Sequence, residues 1–359
     1  MKPLSIEQIT QITGTQASDL RPELQITALC ALENAHAGGI CYVTSLDKPE
    51  LLAQLKASAV FVPADAKGKQ VPFEGVLLYA QNPEWAFILL LRYVDAQFQK
   101  HTPGIHPTAV ISPTAKLGQN VCVGAYSVIE DGAIIGDNTV IFPQCYIGKE
   151  VTIGKNCYIY PQVVIREQCI LKDHVILQAG ATIGSDGFGF TFHDGRHQKI
   201  PQIGNVILGN DVEIQSNTCI DRAKITSTVV GDNTKIDNLV QIGHNVTIGM
   251  SSICCAQVGV AGTTDIGNGV ILAGQVGLAG HMKVGDRVQI GAQSGAMGSI
   301  PAGQTYFGYP AMPQREAFKQ QIALRKLPEM YKQFQQFQKE IQAFKELSFW
   351  GRVKKLLGR

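Results

Sequence analysis

Aliphatic residues recur at every sixth position over a long central part of the chain. The positions of this run are Ile105, Ile111, Leu117, Val123, Ile129, Ile135, Ile141, Ile147, Ile153, Ile159, Ile165, Leu171, Leu177 and Ile183. The residue four places after each one is commonly small or β-branched. An α-helix would repeat at about 3.6 residues and a strand at about 2. A repeat of six predicts short strands joined by regular turns, the hexapeptide pattern of a parallel β-helix.

The six-residue pattern stops after Ile183, and residues 184–202 contain no hexad. We expect this insertion to leave the coil as an external loop. Its glycines lack the G-x-G-x-x-G spacing and the following helix of a dinucleotide-binding motif. Two hypotheses stay open for its aromatic residues: they cover a ligand groove, or they pack on the coil itself. The aromatic residues are Phe188, Phe190 and Phe192.

The pattern resumes at Leu208, slips by four residues over Asp221–Ser227, and then holds to Ile290. The predicted β-helix domain therefore spans residues 104–312. Residues 1–103 show no six-fold pattern and predict a small α/β domain, in which Ser5 caps a first helix that Gly14 ends. Strands are expected at Leu24–Leu29, Ile40–Thr44, Ala59–Val62 and Val76–Tyr79, and helices at Pro49–Ala57 and Pro83–Phe98.

Apolar residues follow helical spacing after Pro313, and we expect two helices separated by Pro328 over residues 313–359. Because little chain remains to cover them, we predict an oligomer seam formed by Ala317, Ile322, Ala323, Leu327, Met330, Phe334, Phe337, Ile341 and Phe344. The stretch from Ser348 onward is basic and amphipathic. It predicts contact with an acidic partner or weak association with anionic lipid, and a solvated helix end is the alternative.

Composition narrows the class of protein. Net charge is +2, which argues against a nucleic-acid-binding function, although residues 313–359 carry a clear excess of Lys and Arg. Nine cysteines include three at the small inward position of a hexad, Cys145, Cys157 and Cys169, and no C-x-x-C pair occurs. We therefore expect reduced thiols in a cytoplasmic protein. The longest apolar run, Trp85–Leu91, is too short to span a bilayer.

The most informative polar cluster is the stretch from Asp237 to Asn245, which contains Gln241 and His244 within a regular hexad. In a coil of eighteen residues, positions 244, 262 and 280 would stack about 4.8 Å apart. The last two are Gly262 and Gly280, and His281 follows. A histidine beside bare glycines has room for a substrate, and a glycine N–H could serve as an oxyanion donor. Glycine is ordinary at turns, so a structural role for His244 stays open.

Five motifs make the chain similar to a known family. They are Gly187-Phe188-Gly189-Phe190, Lys199-Ile200-Pro201-Gln202-Ile203-Gly204, Ile220-Asp221-Arg222, the stretch from Ile236 to Val246, and Gly280-His281-Met282. Together with the hexads, the leading α/β domain and the C-terminal helices, they resemble the bacterial hexapeptide acyltransferases. Within these, the match is to the UDP-3-O-acylglucosamine N-acyltransferases of lipid A biosynthesis. The resemblance implies a left-handed parallel β-helix in a homotrimer.

The resemblance also implies a reaction, the transfer of a 3-hydroxyacyl group from acyl carrier protein to the 2-amino group of UDP-3-O-(3-hydroxyacyl)glucosamine. His244 would be the base, the Gly262 N–H the oxyanion donor, and His281 would lie on the phosphopantetheine or oxyanion side. Asp237, Gln241 and Asn245 would orient His244 or the sugar. No metal or bound cofactor is expected, because the acyl chain arrives as a thioester on the phosphopantetheine of acyl carrier protein.

The nucleotide site is where the chain departs from the family. Relatives have an aromatic-Asn-Pro-x-aromatic patch for uracil, whereas this chain has Tyr42 followed by residues without the asparagine or the second aromatic. Tyr42 remains the expected stacking partner of the base. Three alternative functions stay open: the sibling UDP-N-acetylglucosamine O-acyltransferase, which lacks the leading domain, a hexapeptide carbonic anhydrase with three zinc-binding histidines, and a non-catalytic solenoid.

Overall fold

The computed structural model describes residues 1–98, 101–308, 314–346 and 349–358 of the chain. The chain divides into two units, Met1–Thr102 and Pro103–Arg359. The division lies beside the boundary expected near residue 103.

The first unit is a small α/β domain that begins with a capped helix. Helix α1 (Ile6–Thr13) starts at Ser5, whose side chain accepts a hydrogen bond from the backbone of Gln8 while the Gln8 side chain bonds back to Ser5. Gly14 ends the helix in the left-handed region at φ 68°, a conformation that glycine adopts at little cost. The predicted capping and termination of this helix are therefore confirmed.

The sheet of the first unit has five strands in the order β2-β7-β6-β5-β4, parallel except at β2, and β1 pairs separately with β3. The strands are β1 (Leu4–Ser5), β2 (Gln16–Ala17), β3 (Gln25–Ile26), β4 (Ala28–Leu29), β5 (Gly39–Tyr42), β6 (Ala59–Pro63) and β7 (Val76–Ala80). Two further helices are α2 (Pro49–Ala53) and α3 (Pro83–Phe98), and short 3-10 turns occupy Leu32–Asn34 and Ala64–Ala66. The stretch Leu24–Leu29, predicted as one strand, forms two.

The second unit is a parallel β-helix, which confirms the predicted fold class. Its three sheets contain nine, eleven and ten strands. The left hand of the coil, implied by the resemblance, stays a prediction. The strands before the insertion are β8 (Gly104–Ile105), β9 (Val110–Ile111), β10 (Lys116–Leu117), β11 (Cys122–Val123), β12 (Val128–Ile129), β13 (Ile134–Ile135), β14 (Val140–Ile141), β15 (Tyr146–Ile147), β16 (Thr152–Ile153), β17 (Tyr158–Ile159), β18 (Val164–Ile165), β19 (Ile170–Leu171), β20 (Ile176–Leu177) and β21 (Thr182–Ser185).

The insertion forms a β-hairpin that stands outside the three sheets, and the coil then continues to its end. The hairpin strands are β22 (Phe190–His193) and β23 (Arg196–Lys199). The later coil strands are β24 (Asn205–Leu208), β25 (Glu213–Ile214), β26 (Cys219–Asp221), β27 (Ser227–Val230), β28 (Lys235–Ile236), β29 (Gln241–Ile242), β30 (Thr247–Ile248), β31 (Ile253–Cys254), β32 (Gly259–Val260), β33 (Asp265–Ile266), β34 (Ile271–Leu272), β35 (Gly277–Leu278), β36 (Lys283–Val284), β37 (Gln289–Ile290), β38 (Gly295–Ala296) and β39 (Thr305–Tyr306).

Residues 18 apart stack from coil to coil, as the ladder from Asn138 to Asn156 illustrates. The spacing becomes 37 across the insertion, as between Asp173 and Asn210, and 22 across the slip, as between Asn210 and Asp232. Both interruptions read from the sequence are therefore confirmed. In most of the two-residue strands of the coil the second residue points inward, and these aliphatic side chains are buried in one continuous core.

The small inward positions of the hexads do more than fill space. The Thr139 hydroxyl donates to the carbonyl of Gly154 at 2.9 Å and accepts from the amide of Cys157 at 3.2 Å. Ser127, Thr234 and Ser252 make the same pair of bonds in other coils. Because a buried backbone group without a partner costs about 1–3 kcal/mol, the hydroxyl stabilises the coil at each of these four corners.

The predicted inward cysteines are confirmed, with Cys145, Cys157 and Cys169 all at 2% exposure or less. Burial raises the pKa of each of these thiols to about 11. They are therefore protonated near neutral pH and act as small apolar side chains.

The C-terminal part forms helices α4 (Gln314–Glu346) and α5 (Phe349–Leu356). The expectation of two helices separated by Pro328 is wrong, because α4 runs through Pro328 without ending. Proline removes only one backbone donor from the helix, and the turns on both sides keep theirs. The side chains of Phe344, Arg352 and Lys355, and residue Arg359, lie outside the described residues. Within the described ranges no helix is both long and apolar enough to cross a membrane.

Candidate active site on the β-helix

His244 lies on the turn that follows β29, and its imidazole ring faces Gly262 in the next coil. A Cβ atom at Gly262 would lie 2.8 Å from both Cε1 and Nε2 of His244. No side chain larger than hydrogen fits there without moving the ring. The Thr263 amide donates to the His244 carbonyl at 2.8 Å, which fixes the two turns relative to each other. The predicted stacking of positions 244 and 262 is confirmed.

A hydrogen bond to Asn245 determines which nitrogen of His244 carries the proton. The Asn245 side-chain oxygen accepts from the amide of Lys224 at 2.9 Å, and its nitrogen donates to the carbonyl of Ile225 at 3.0 Å. Both bonds would be lost if the amide were reversed, so the oxygen position is fixed. This oxygen lies 3.2 Å from His244 Nδ1. Nδ1 must therefore donate, and in the neutral ring Nε2 has a free lone pair.

The Gly262 amide has a different environment from its two neighbours. The amide of Ala261 donates to Leu278, and that of Thr263 donates to His244. Across the described chain, no acceptor pairs with the Gly262 amide. A Cβ at Gly243 would lie 2.7 Å from the Gly262 nitrogen, so glycine there keeps the amide uncovered. The arrangement places an unpaired N–H and an unprotonated imidazole nitrogen beside each other, which suits attack on a carbonyl carbon.

His281 and the other predicted residues take different positions around this pair. The His281 amide donates to the Gly262 carbonyl at 3.2 Å, and its side chain is exposed. Asp237 accepts from the backbone and side chain of its neighbour Asn238, both at 2.7 Å. The Gln241 side chain interacts with Asp221. Of the predicted polar partners, Asn245 alone is hydrogen-bonded to His244 among the contacts of the described residues.

Asp221 is a buried carboxyl close to His244 that the sequence motif contained without indicating a role. It is 8% exposed and accepts a 2.8 Å hydrogen bond from the Ser185 hydroxyl. Burial raises the pKa of Asp221 above its usual value, while hydrogen bonds from Ser185 and Gln241 and the nearby His244 act against this rise. A β-bulge between Ile183 and Ser185 places Ser185 opposite Asp221. One sequence feature could have singled out Asp221: it directly follows the inward-facing Ile220, where the slip begins.

The insertion folds back over His244, which no sequence pattern predicted. A Cβ at Gly187 would lie 2.5 Å from His244 Cβ and 2.9 Å from Cδ2. The glycine turn of the insertion covers one face of His244. The aromatic rings of the insertion are exposed, with Phe188 at 86%, so the hypothesis that they pack on the coil is not supported. Lys199 bonds to Asp186 across the base of the hairpin.

A buried arginine joins the insertion to the coil. Arg222 is 4% exposed, pairs with the Glu167 carboxylate at 2.9 Å, and donates to the Gly184 carbonyl at 2.7 Å. Arg166 binds the same carboxylate at 2.9 Å, and the two guanidinium groups lower the pKa of Glu167. A carboxylate shared by two arginines therefore holds the turn after β18 to the turn after β26.

Tyr42, predicted to stack on a base, belongs to the first unit. It lines a cavity of about 540 Å³ together with Cys30, Glu33, Ser45 and Lys48. One face of Tyr42 contacts Phe87, with ring centroids 5.2 Å apart. The cavity is large enough for a nucleoside and offers an aromatic ring with polar groups around it. Within the described residues, no three His, Cys, Asp or Glu side chains converge as a metal site requires.

Comparison with known proteins adds three family matches. Residues 23–93 match the model described as UDP-3-O-(3-hydroxymyristoyl) glucosamine N-acyltransferase, LpxD. Residues 115–141 match a hexapeptide repeat of succinyl-transferase, and residues 132–228 match a GMPPB C-terminal domain. The first match lies in the α/β unit and the other two lie in the β-helix.

Curated relatives share most of the chain. A UDP-3-O-acylglucosamine N-acyltransferase from Porphyromonas gingivalis is 47% identical over 91% of this chain and 93% of its own. One from Francisella tularensis is 40% identical over 89% and 92%. One from Legionella pneumophila is 45% identical, and its alignment spans 66% of either chain.

Among solved structures, an Arabidopsis UDP-N-acetylglucosamine acyltransferase superimposes with a TM-score of 0.51 at 23% identity, covering 57% of this chain and 71% of that one. This likeness is one of fold. The β-helix and its repeats define a hexapeptide-repeat protein of the acyltransferase type. The chain belongs to the UDP-3-O-acylglucosamine N-acyltransferase family.

Proposed function

We propose that this chain transfers a 3-hydroxyacyl group from acyl carrier protein to the 2-amino group of a UDP-3-O-acylglucosamine, a step of lipid A biosynthesis. The proposal rests on one observation: His244 Nε2, which has a free lone pair, lies beside the Gly262 amide, which has no hydrogen-bond acceptor. The relatives are named as enzymes that act on this acceptor. The match of residues 23–93 to the N-acyltransferase model favours the amine over the hydroxyl acceptor.

The reaction begins when the amine nitrogen attacks the thioester carbonyl carbon and a C–N bond forms. His244 Nε2 takes the proton that the nitrogen loses, and the oxygen becomes an oxyanion near the Gly262 amide. When the C–S bond breaks, the sulfur leaves as a thiolate and receives the proton from the imidazolium. General-base help is typically worth about 10²–10⁴-fold in rate, and one oxyanion donor about 10²–10³-fold.

The neighbours of His244 would support its change of charge. Donation from Nδ1 to Asn245 holds the ring in one tautomer, which keeps Nε2 directed at the amine. The carboxyl group of Asp221 lies close enough to interact electrostatically with a charged imidazole. His281, two coils from His244, would contact the phosphopantetheine arm or the oxyanion. Asp237 and Gln241 would contact the sugar. No metal or cofactor takes part, because the thioester is already activated.

We assign the nucleotide to the cavity beside Tyr42, whose ring would stack on uracil. The acyl carrier protein would approach the basic C-terminal segment, in which Lys345 and Lys354 are exposed. Clustered positive charge speeds encounter with an acidic partner, and anionic lipid is the other candidate for this segment. Nine free cysteines fit a reducing, cytoplasmic location.

One assay tests the reaction directly. Purified protein is given a 3-hydroxyacyl-acyl carrier protein and either UDP-3-O-acylglucosamine or UDP-N-acetylglucosamine, and products are identified by mass spectrometry. We expect an amide on the first acceptor and no product on the second. The rate should fall as salt rises, because surface charges are screened beyond about 8 Å at physiological ionic strength. An ester on the second acceptor would identify an O-acyltransferase, and no product with either would indicate a non-catalytic solenoid.

Two substitutions test the roles of His244 and Gly262. His244→Ala should fold normally and lose about 10²-fold or more in kcat, since the amine keeps its proton. Gly262→Ala should also lose activity, because its Cβ would displace the imidazole ring. Gly298→Ala is the matched control, since a Cβ there meets no atom within 4 Å. Activity of His244→Ala within about tenfold of the wild type would exclude His244 as the base.

We further propose that the protein is a homotrimer held partly by α4. Met330, Phe334, Phe337 and Ile341 follow one face of this helix and are 41–59% exposed, a spacing typical of helices that associate. Sedimentation should find a trimer at micromolar concentration. Phe334→Glu should weaken association, whereas Gln335→Glu, which adds the same charge away from that face, should not. A stable wild-type monomer would contradict the proposal.

A further inference from the structure

Gln202 carries a buried oxygen without a hydrogen-bond partner. The residue is 7% exposed, and its Oε1 is the one buried side-chain oxygen or nitrogen without a partner in the described part of the chain. Its orientation is not ambiguous, because Nε2 donates to the Ile200 carbonyl at 3.0 Å. Reversing the amide would place two oxygens against each other. The unpaired acceptor is therefore a real feature of this side chain.

The unpaired oxygen points toward the candidate active site. A Cβ at Gly187 would lie within 3.0 Å of Gln202 Oε1 and also within 2.9 Å of His244 Cδ2. A Cβ at Gly189 would lie 2.7 Å from Gln202 Nε2. The side-chain amide of Gln202 is thus held beside two glycines, and one of them, Gly187, lies close both to its oxygen and to the imidazole of His244.

A buried carbonyl group without a donor is unfavourable, since it has lost its hydrogen bonds to water. An apolar side chain of the same length would avoid this loss. The same glycine turn that covers Oε1 also covers one face of His244. A ligand that moves this turn therefore reaches the oxygen and the imidazole together. The donor that satisfies Oε1 is expected to be a group that enters beside His244.

We propose that Gln202 Oε1 accepts a hydrogen bond from the attacking amine and so selects an amine over a hydroxyl acceptor. The inference rests on the proposed function. A primary amine whose lone pair attacks a carbonyl has two N–H groups, one for His244 Nε2 and one for Gln202. A hydroxyl has only one O–H, which the base must take. Gln202 is thus a substrate-binding residue that determines specificity.

The test compares two acceptors that differ only at carbon 2 of the sugar. Binding of UDP-3-O-acylglucosamine and of the matching 2-hydroxy compound, UDP-3-O-acylglucose, is measured by calorimetry without an acyl donor. A pH of about 9 keeps an amine of α-amino basicity neutral. The wild type should bind the amine more tightly, so the dissociation constant of the 2-hydroxy compound divided by that of the amine should exceed one. Gln202→Met, which keeps the length but lacks the oxygen, should reduce this ratio by about tenfold.

Two further variants make the result specific to the oxygen. Gln198→Met makes the same substitution in the same insertion and should leave the ratio unchanged. Gln202→Leu also lacks the oxygen, should reduce the ratio in the same way, and covers the case in which Gln202→Met fails to fold. An unchanged ratio in folded Gln202→Met or in folded Gln202→Leu would overturn the proposal.

Failure of the proposed function would be seen in the transfer assay and not in the binding measurement. If the wild type forms no amide in the transfer assay, the reaction assignment fails. The binding ratio measures only the contact between Gln202 and the amine, so it is read independently of turnover.

Discussion

Parallel pairing between residues 18 apart is the constraint on which the site depends. Gln241 pairs with Gly259, and Gly259 with Gly277, so the turns that follow these strands stack in the same order. This stacking alone brings His244 to Gly262. One residue inserted between these two turns would exchange the inward-facing and outward-facing side chains of the strand that follows. The regularity of the core is therefore also what positions the chemistry.

Both irregularities of the coil occur beside His244, and both are held by buried polar contacts. The bulge at the start of the insertion aligns Ser185 with Asp221, and residues within the slip supply the backbone groups that orient Asn245. Arg222, in the slip, donates to the carbonyl of Gly184 at the start of the insertion and also pairs with Glu167. These contacts hold the insertion and the slip in place beside His244, where a substrate would bind.

The sequence predicted what depends on periodicity. The hexads gave the β-helix, the insertion and the slip, and the 18-residue spacing placed Gly262 beside His244. It could not predict contacts made by segments without a period. Gly187 covering His244 and the unpaired oxygen of Gln202 depend on how the hairpin folds back. The predicted helix end at Pro328 was wrong because one missing hydrogen-bond donor does not end a helix whose other bonds remain.

The tautomer of His244 depends on the orientation of the Asn245 amide, which no residue pattern encodes. It is also the feature on which the mechanism depends most, because a base at Nε2 requires the proton on Nδ1. The most direct measurement is the ¹⁵N NMR spectrum of protein labelled at histidine, with the His244 signals assigned by their loss in His244→Ala. For the uncharged ring, we expect a protonated Nδ1 and a bare Nε2. A neutral ring protonated at Nε2, with Nδ1 bare, would contradict this assignment.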